Sequence, residues 1–260
     1  MVDVHPFHGA ARTWTDFFIH IATISVGLLI AIGLEQTVEL FHHRQQRQQL
    51  EADLRAEGLR NRAIVERDIA YLDAFGDWNL RANRAVQAAQ GKPSGPYPER
   101  LDQDPLARKN LRYVATTASV WTTARENGGI ALLPRDEALV YTRLYRVHDL
   151  IVNMDFEWRK AGIAVSGIQS RFSPNPGVAP PDLAAMSGAE LDELSALVMQ
   201  DYAVGSSLKS LLKAFRGANE AVLNGMRSEE DMVEAIYREQ LNLSGAVSKE
   251  SAAVSSAPSR

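Results

Sequence analysis

The sequence predicts an all-α chain in which one N-terminal transmembrane helix continues into a helical-bundle extramembrane domain. Three observations carry that expectation. Residues Phe17 to Leu34 contain no Asp, Glu, Lys or Arg, and the run stops at Glu35; at ~1.5 Å rise per residue it is ~27 Å long, close to the ~30 Å hydrocarbon layer of a bilayer. Beyond it, apolar residues recur at helical spacing between charges. No stretch shows sustained strand-type alternation, and no fixed-period repeat is present.

Charge and composition remove several function classes. The formal net charge is −4, with both signs mixed along the chain and no basic stripe to neutralise a run of phosphates, so nucleic acid is not an expected partner. Cysteine is absent, which excludes disulfides, thiolate metal sites and cysteine nucleophiles while leaving the redox compartment open.

The elements follow in order. Residues 1–15 form a short N-terminal tail ending near Trp14, an indole placed for the headgroup layer, and residues 16–38 form the anchor. A cleaved signal peptide is the rival reading, because Ala31-Ile32-Gly33 sets small residues at the −3 and −1 positions. The sparse positive charge before the run and its length favour an uncleaved span. Arg44, Arg47 and Arg55 after the span outnumber Arg12 before it, which favours a cytoplasmic C-terminal part by a small margin.

From 39 to 90 no proline interrupts the chain, and Leu50, Leu54, Leu59, Val65, Ile69, Leu72 and Phe75 mark a helical stalk that Gly58 or Gly76 could bend. Gly91 to Pro98, with three prolines and two glycines, is a linker. The bundle domain is expected over 99–243. Its first helix should run from Pro105 to Arg125 and stop at Gly128-Gly129. A second should start at Pro134 with Asp136 and Glu137 in its first turn and carry Leu139, Leu144, Val147, Ile151, Met154, Trp158 and Ile163 as far as Ser173-Pro174. Ser187-Gly188-Ala189-Glu190 reads as a capping box opening a helix through Leu191, Leu194, Leu197, Val198, Leu208, Leu211, Leu212 and Phe215. A shorter helix follows Ser228, and the Ser/Ala-rich residues 244–260 are expected to be disordered.

Candidate sites concentrate near the span. At 100° per residue His20, Thr23, Gly27, Ala31 and Glu35 share one helix face, and Thr23-x-x-x-Gly27-x-x-x-Ala31 is a small-residue ladder that admits a second membrane helix. Self-association or a membrane-protein partner is therefore expected. Trp14, His42, His43 and Arg44 are interface residues at the two bilayer edges. Glu39-x-x-His42 matches half of a di-iron carboxylate motif. The only later histidine, His148, follows Tyr145 rather than a glutamate by three positions, so Glu35, Glu39, His42 and His43 offer a metal-dependent enzyme only a weak basis. No nucleophile elbow, P-loop or dinucleotide fingerprint is present, and no catalytic, cofactor or metal site is expected.

The residues His5-Pro6, His8, Trp14-Thr15-Asp16-Phe17, His20, Gly27-Leu28, Leu34-Glu35, Glu39 and His42-His43-Arg44 form a recognisable N-terminal pattern. A looser block covers Val120-Trp121-Thr122-Thr123-Ala124, Gly128-Gly129, Leu133 and Tyr141 to Tyr145. Together they resemble a widespread group of uncharacterised bacterial single-span membrane proteins. The resemblance implies an inner-membrane anchor, a helical extramembrane domain and no established activity. The leading expectation is a membrane-anchored interaction or scaffold protein that is not an enzyme. The alternative is a tethered small-molecule sensor with a pocket among the helices carrying Trp121, Tyr145 and Trp158.

Overall fold

A computed structural model describes residues 14–91, 95–99, 112–176, 179–226, 228 and 230–239. Expectations for the N-terminal tail before Trp14, for the chain from Pro105 to Leu111 and for residues 244–260 lie outside the described residues. Those described are helical apart from connecting segments, with no strand among them. The helices are α1 (Trp14–Ala89), α2 (Ser119–Glu126), α3 (Arg135–Phe172), α4 (Gly188–Leu223) and α5 (230–239). The chain divides into two compact units, Met1–Glu51 and Ala52–Arg260.

In the first unit α1 presents its apolar run outward. Nothing in the membrane-length window is buried, and large side chains such as Phe18, Ile24, Leu29 and Leu34 are exposed. The run is long and apolar enough to cross a membrane.

The second unit corrects the expected stalk. Residues 52–89 of α1 belong to the bundle, with Leu54, Val65, Leu72, Ala82 and Val86 all buried. The inward positions run 54, 57, 61, 65, 68, 72, 75, 79, 82 and 86, steps of three and four that hold one helix face against its neighbours. Four of these positions are polar: Glu57, Asn61, Asp68 and Asn79. α1 continues unbroken through Gly58 and Gly76. A Cβ at Gly58 would stand 3.0 Å from Asn219 Oδ1, so that glycine lets α4 approach, while one at Gly76 would make an ordinary contact 3.4 Å from the Tyr202 ring.

Cross-links give the helix directions. Asn219 Nδ2 donates to Gly58 O (2.9 Å), Lys209 pairs with Asp73 (2.7 Å) and Ser195 donates to Asn83 (2.7 Å), so α4 runs antiparallel to residues 52–89. Tyr145 meets Glu57 and Trp158 meets Phe75, so α3 runs parallel to them. Arg55 Nη1 caps the free carbonyl of Leu223 at the end of α4 (2.8 Å). The far end of the bundle closes over Trp78, Val86, Val165, Ile168, Leu191 and Leu194. Residues 230–239 pack on α4, where a Cβ at Gly217 would meet Ala235 O at 3.1 Å.

The α4 capping box forms as expected, with Glu190 Oε2 taking the Ser187 amide (2.8 Å) and the Ser187 hydroxyl in contact with the Glu190 amide. α3 starts after Pro134 with Asp136 and Glu137 in its first turn and ends at Phe172. Leu139 and Ile163, expected on its buried stripe, face outward; Val140, Ala161, Val165 and Ile168 take inner positions.

Of the helix expected over Pro105 to Arg125, the described residues 112–118 form a strap that is not helical, and Ser119–Glu126 is helical. The polar face of α1 supplies the reason. Asp68 Oδ1 accepts from Val114 N (2.9 Å), Asn61 exchanges two bonds with the backbone of Thr117 (2.8 and 2.9 Å), and Glu57 Oε2 accepts from Val120 N (3.0 Å). These side chains satisfy backbone groups that a helix would otherwise pair internally, and Glu57 acts as the cap of α2 from another element.

Candidate functional site

A cavity of about 480 Å³ opens in the second unit among α1, the strap of residues 112–118, α3 and α4. One wall is set by α1, whose Tyr71, Phe75 and Trp78 recur at steps of four and three and so project to one side. Tyr113 from the strap and Trp158 from α3 complete an aromatic lining. Trp158 lies edge-on to Phe75 (5.2 Å) and to Tyr113 (5.2 Å). Further along the same face of α3, Gly162, Val165, Ser166 and Gln169 line the cavity. Gly162 brings no side chain to the cavity, and beyond its chain neighbours and its own helix backbone no described atom stands within 4 Å of where its Cβ would be.

From α4 comes one acidic group, Asp201. It is 2 % exposed, and its Oδ1 has no hydrogen-bond partner among the described residues. Burial pushes its carboxyl up to about 7, while the neighbouring Asn79 side chain pulls the other way. Trp158 Nε1 and Tyr113 OH are likewise buried atoms without partners among the described residues. Gly205 makes room for that indole: a Cβ there would stand 3.3 Å from Trp158 Nε1. Burial, with Asp155 and Asp68 nearby, drives the Tyr113 phenol well above its ordinary range, so it remains a donor at neutral pH.

Arg112 and Arg159 line the cavity from its exposed side. Arg159 bonds Asp155 through Nε (3.0 Å) and lies over the Tyr113 ring at 5.9 Å. The arrangement is chemically specific. It joins aromatic faces, two orphaned donors and one orphaned acceptor with a basic rim, and unpartnered buried polar groups in a native fold call for an explanation.

No family model, curated protein or solved structure matches the chain. The reading of the site therefore rests on its geometry alone.

The candidates named from sequence fall elsewhere. His20, Thr23, Gly27, Ala31 and Glu35 lie on the exposed apolar part of α1, where the Thr23 hydroxyl bonds back to Ile19 O (2.8 Å) and a Cβ at Gly27 would meet nothing within 4 Å. Trp14 is exposed and packs edge-on against Phe17 (6.0 Å). His42, His43 and Arg44 are exposed along the same helix, with His42 Nε2 2.9 Å from Gln46 Nε2. Among the described residues no three or more His, Cys, Asp or Glu side chains gather as a metal would require, so Glu35, Glu39, His42 and His43 are not brought into such a group.

The aromatic residues expected to share one pocket are separated. Trp121 stacks on Tyr145 (5.2 Å, 5° between planes) and lies near Tyr141 (6.2 Å), all three buried, and of Trp121, Tyr145 and Trp158 only Trp158 lines the cavity. Tyr71, Trp78, Tyr113, Gly162 and Asp201 were not marked as a site by the sequence. One signal was present. The buried stripe of α4 runs Leu194, Val198, Asp201, Gly205, Leu208 and Leu212, so Asp201 occupies a position where the helical period calls for an apolar residue.

Proposed function

We propose that this chain is a single-pass protein of the bacterial inner membrane whose helical domain binds a small molecule, a membrane-tethered sensor. The ligand-binding half rests on one observation: Asp201, Trp158 and Tyr113, each carrying a buried polar atom unpartnered among the described residues, line one cavity together with further aromatic rings. Its volume lies within the ~300–1,000 Å³ range of small-molecule sites. The anchor half is supported by the bare apolar run from Phe17 to Leu34, and the bacterial assignment by the N-terminal resemblance. The arginine count favours a cytoplasmic bundle.

A scaffold role has its own support. The open space at Gly27, between Thr23 and Ala31 on the same face, leaves room for a second membrane helix. Ligand-dependent pairing of such spans would join the two readings, with the bilayer and either a second copy or another membrane protein as partners.

The test uses the full chain in detergent and a neutral ring probe, 2-(1-naphthyl)ethanol, titrated by calorimetry. Saturable one-to-one binding that weakens at least about tenfold in Gly162→Leu is expected. Absence of binding up to the solubility limit, by this probe and by the same ring carrying an amine or a carboxylate, overturns the sensor reading.

A further inference from the structure

We infer that the cavity selects an amine: a ring-bearing organic cation whose ammonium meets Asp201 while its hydrocarbon body lies against the aromatic rings. The inference rests on the ligand-binding reading and names the ligand class for that same site.

Three observations point to a cation rather than a neutral or anionic group at the inner end. First, Asp201 is the acidic side chain among the described residues that line the cavity, it is 98 % buried, and its Oδ1 is unpartnered among the described residues. Among the described residues the influences on it are desolvation and the neutral Asn79 amide, and no basic side chain offsets its burial. A buried carboxyl without a counter-charge is completed by a ligand that brings one, through a charge-assisted hydrogen bond.

Second, the walls are suited to the same charge. Ring faces carry the negative part of the aromatic quadrupole and attract ammonium groups, most strongly where water is excluded. Tyr71, Phe75, Trp78, Tyr113 and Trp158 line the space, and one of these rings already receives a cation, the Arg159 guanidinium over Tyr113.

Third, the two arginines that would favour an anion stand at the exposed side. Arg159 has 58 % of its side chain exposed and is paired with Asp155. Arg112 is exposed as well. They bear on whatever part of a ligand reaches the mouth and leave the inner end to Asp201.

The experiment compares three probes with one ring and different head groups, titrated by calorimetry into the full chain in detergent at pH 7.5: 2-(1-naphthyl)ethylamine, 2-(1-naphthyl)ethanol and 1-naphthylacetate. The amine is expected to bind at least about tenfold tighter than the alcohol and the carboxylate weakest. In Asp201→Asn the preference for amine over alcohol should fall to about threefold or less. Gly162→Leu, which leaves the carboxyl in place, should weaken amine and alcohol alike. Equal binding of amine and alcohol, tightest binding of the carboxylate, or an amine preference that survives Asp201→Asn overturns the cation assignment while leaving a ligand-binding cavity. Failure of all three probes to bind overturns both.

Discussion

Glu57 Oε1 accepts the phenol of Tyr145 at 2.5 Å across the interface between α1 and α3, and the other oxygen of the same carboxyl holds the start of α2. Ser119 Oγ (2.9 Å) and Val120 N (3.0 Å) both donate to Oε2. One fully buried side chain thus ties three elements together, and a buried network of this kind is costly to leave half made. Glu57→Ala should lower stability by about 3 kcal/mol or more, because it strands several donors at once. Tyr145→Phe removes a single donor and should cost about 1–2 kcal/mol. Thermal or denaturant unfolding of the full chain in detergent, followed by far-UV circular dichroism, ranks the two.

Asp68 and Asp201 set a pH dependence. Burial is the largest cause in each and raises both carboxyls to about 7; at Asp68 the Val114 amide and Arg67 pull down and Asp155 pushes up. Below about pH 4 these groups are protonated in both folded and unfolded chains and do not shift the balance. Between about 4 and 7 the unfolded chain ionises while the folded one keeps its protons, so stability falls as pH rises, and above 7 the penalty is constant. Asp68→Asn keeps the Oδ1 acceptor for Val114. Relative to wild type, each Asn variant should gain from pH 4 to pH 7 and then level off, by about 1–3 kcal/mol. Parallel wild-type and variant stability curves over pH 4–8 would contradict this.

Two glycines on packed helices should respond with opposite sign. Gly162→Ala puts its Cβ into open space and gains helix propensity, so stability should rise by about 0.5–1 kcal/mol. Gly58→Ala puts a Cβ 3.0 Å from Asn219 Oδ1 and 3.3 Å from Leu223 Cδ2, where it disturbs the bond from Asn219 to Gly58 O, and should destabilise by about 1–2 kcal/mol. Unfolding midpoints of the two variants measured side by side provide the check.

The parts legible in the sequence are those whose partners lie close along the chain. Ser187 and Glu190 announce the start of α4 because both halves of the cap fall within one turn, and the run from Phe17 to Leu34 announces itself by composition. What escaped depends on groups far apart in sequence. Thr116 and Thr117 sit in a non-helical strap because Asn61 and His148 take their backbone groups, and neither partner is visible from residues 112–118 alone. The segment 52–89 reads as a stalk because its apolar list skips Glu57, Asn61, Asp68 and Asn79, polar residues standing at core positions of the helical period. The cavity was missed for the same reason: Asp201 is an ordinary acidic residue until its place on the buried stripe of α4 is recognised.

The small-residue face near the amino end gives a separate prediction. Gly27→Leu fills the space between Thr23 and Ala31 that a second helix would use, so crosslinking between copies in native membranes should drop several-fold. Unchanged crosslinking would rule out that face as a pairing surface.

The account is tested most directly by reconstituting the full chain into vesicles and titrating it with 2-(1-naphthyl)ethylamine, for wild type and Gly162→Leu in parallel. The account predicts protein that stays with the vesicles through carbonate washing and binds the probe one to one, with affinity reduced at least about tenfold by the leucine. Protein released by carbonate, or a wild-type chain that does not bind the probe, would contradict it.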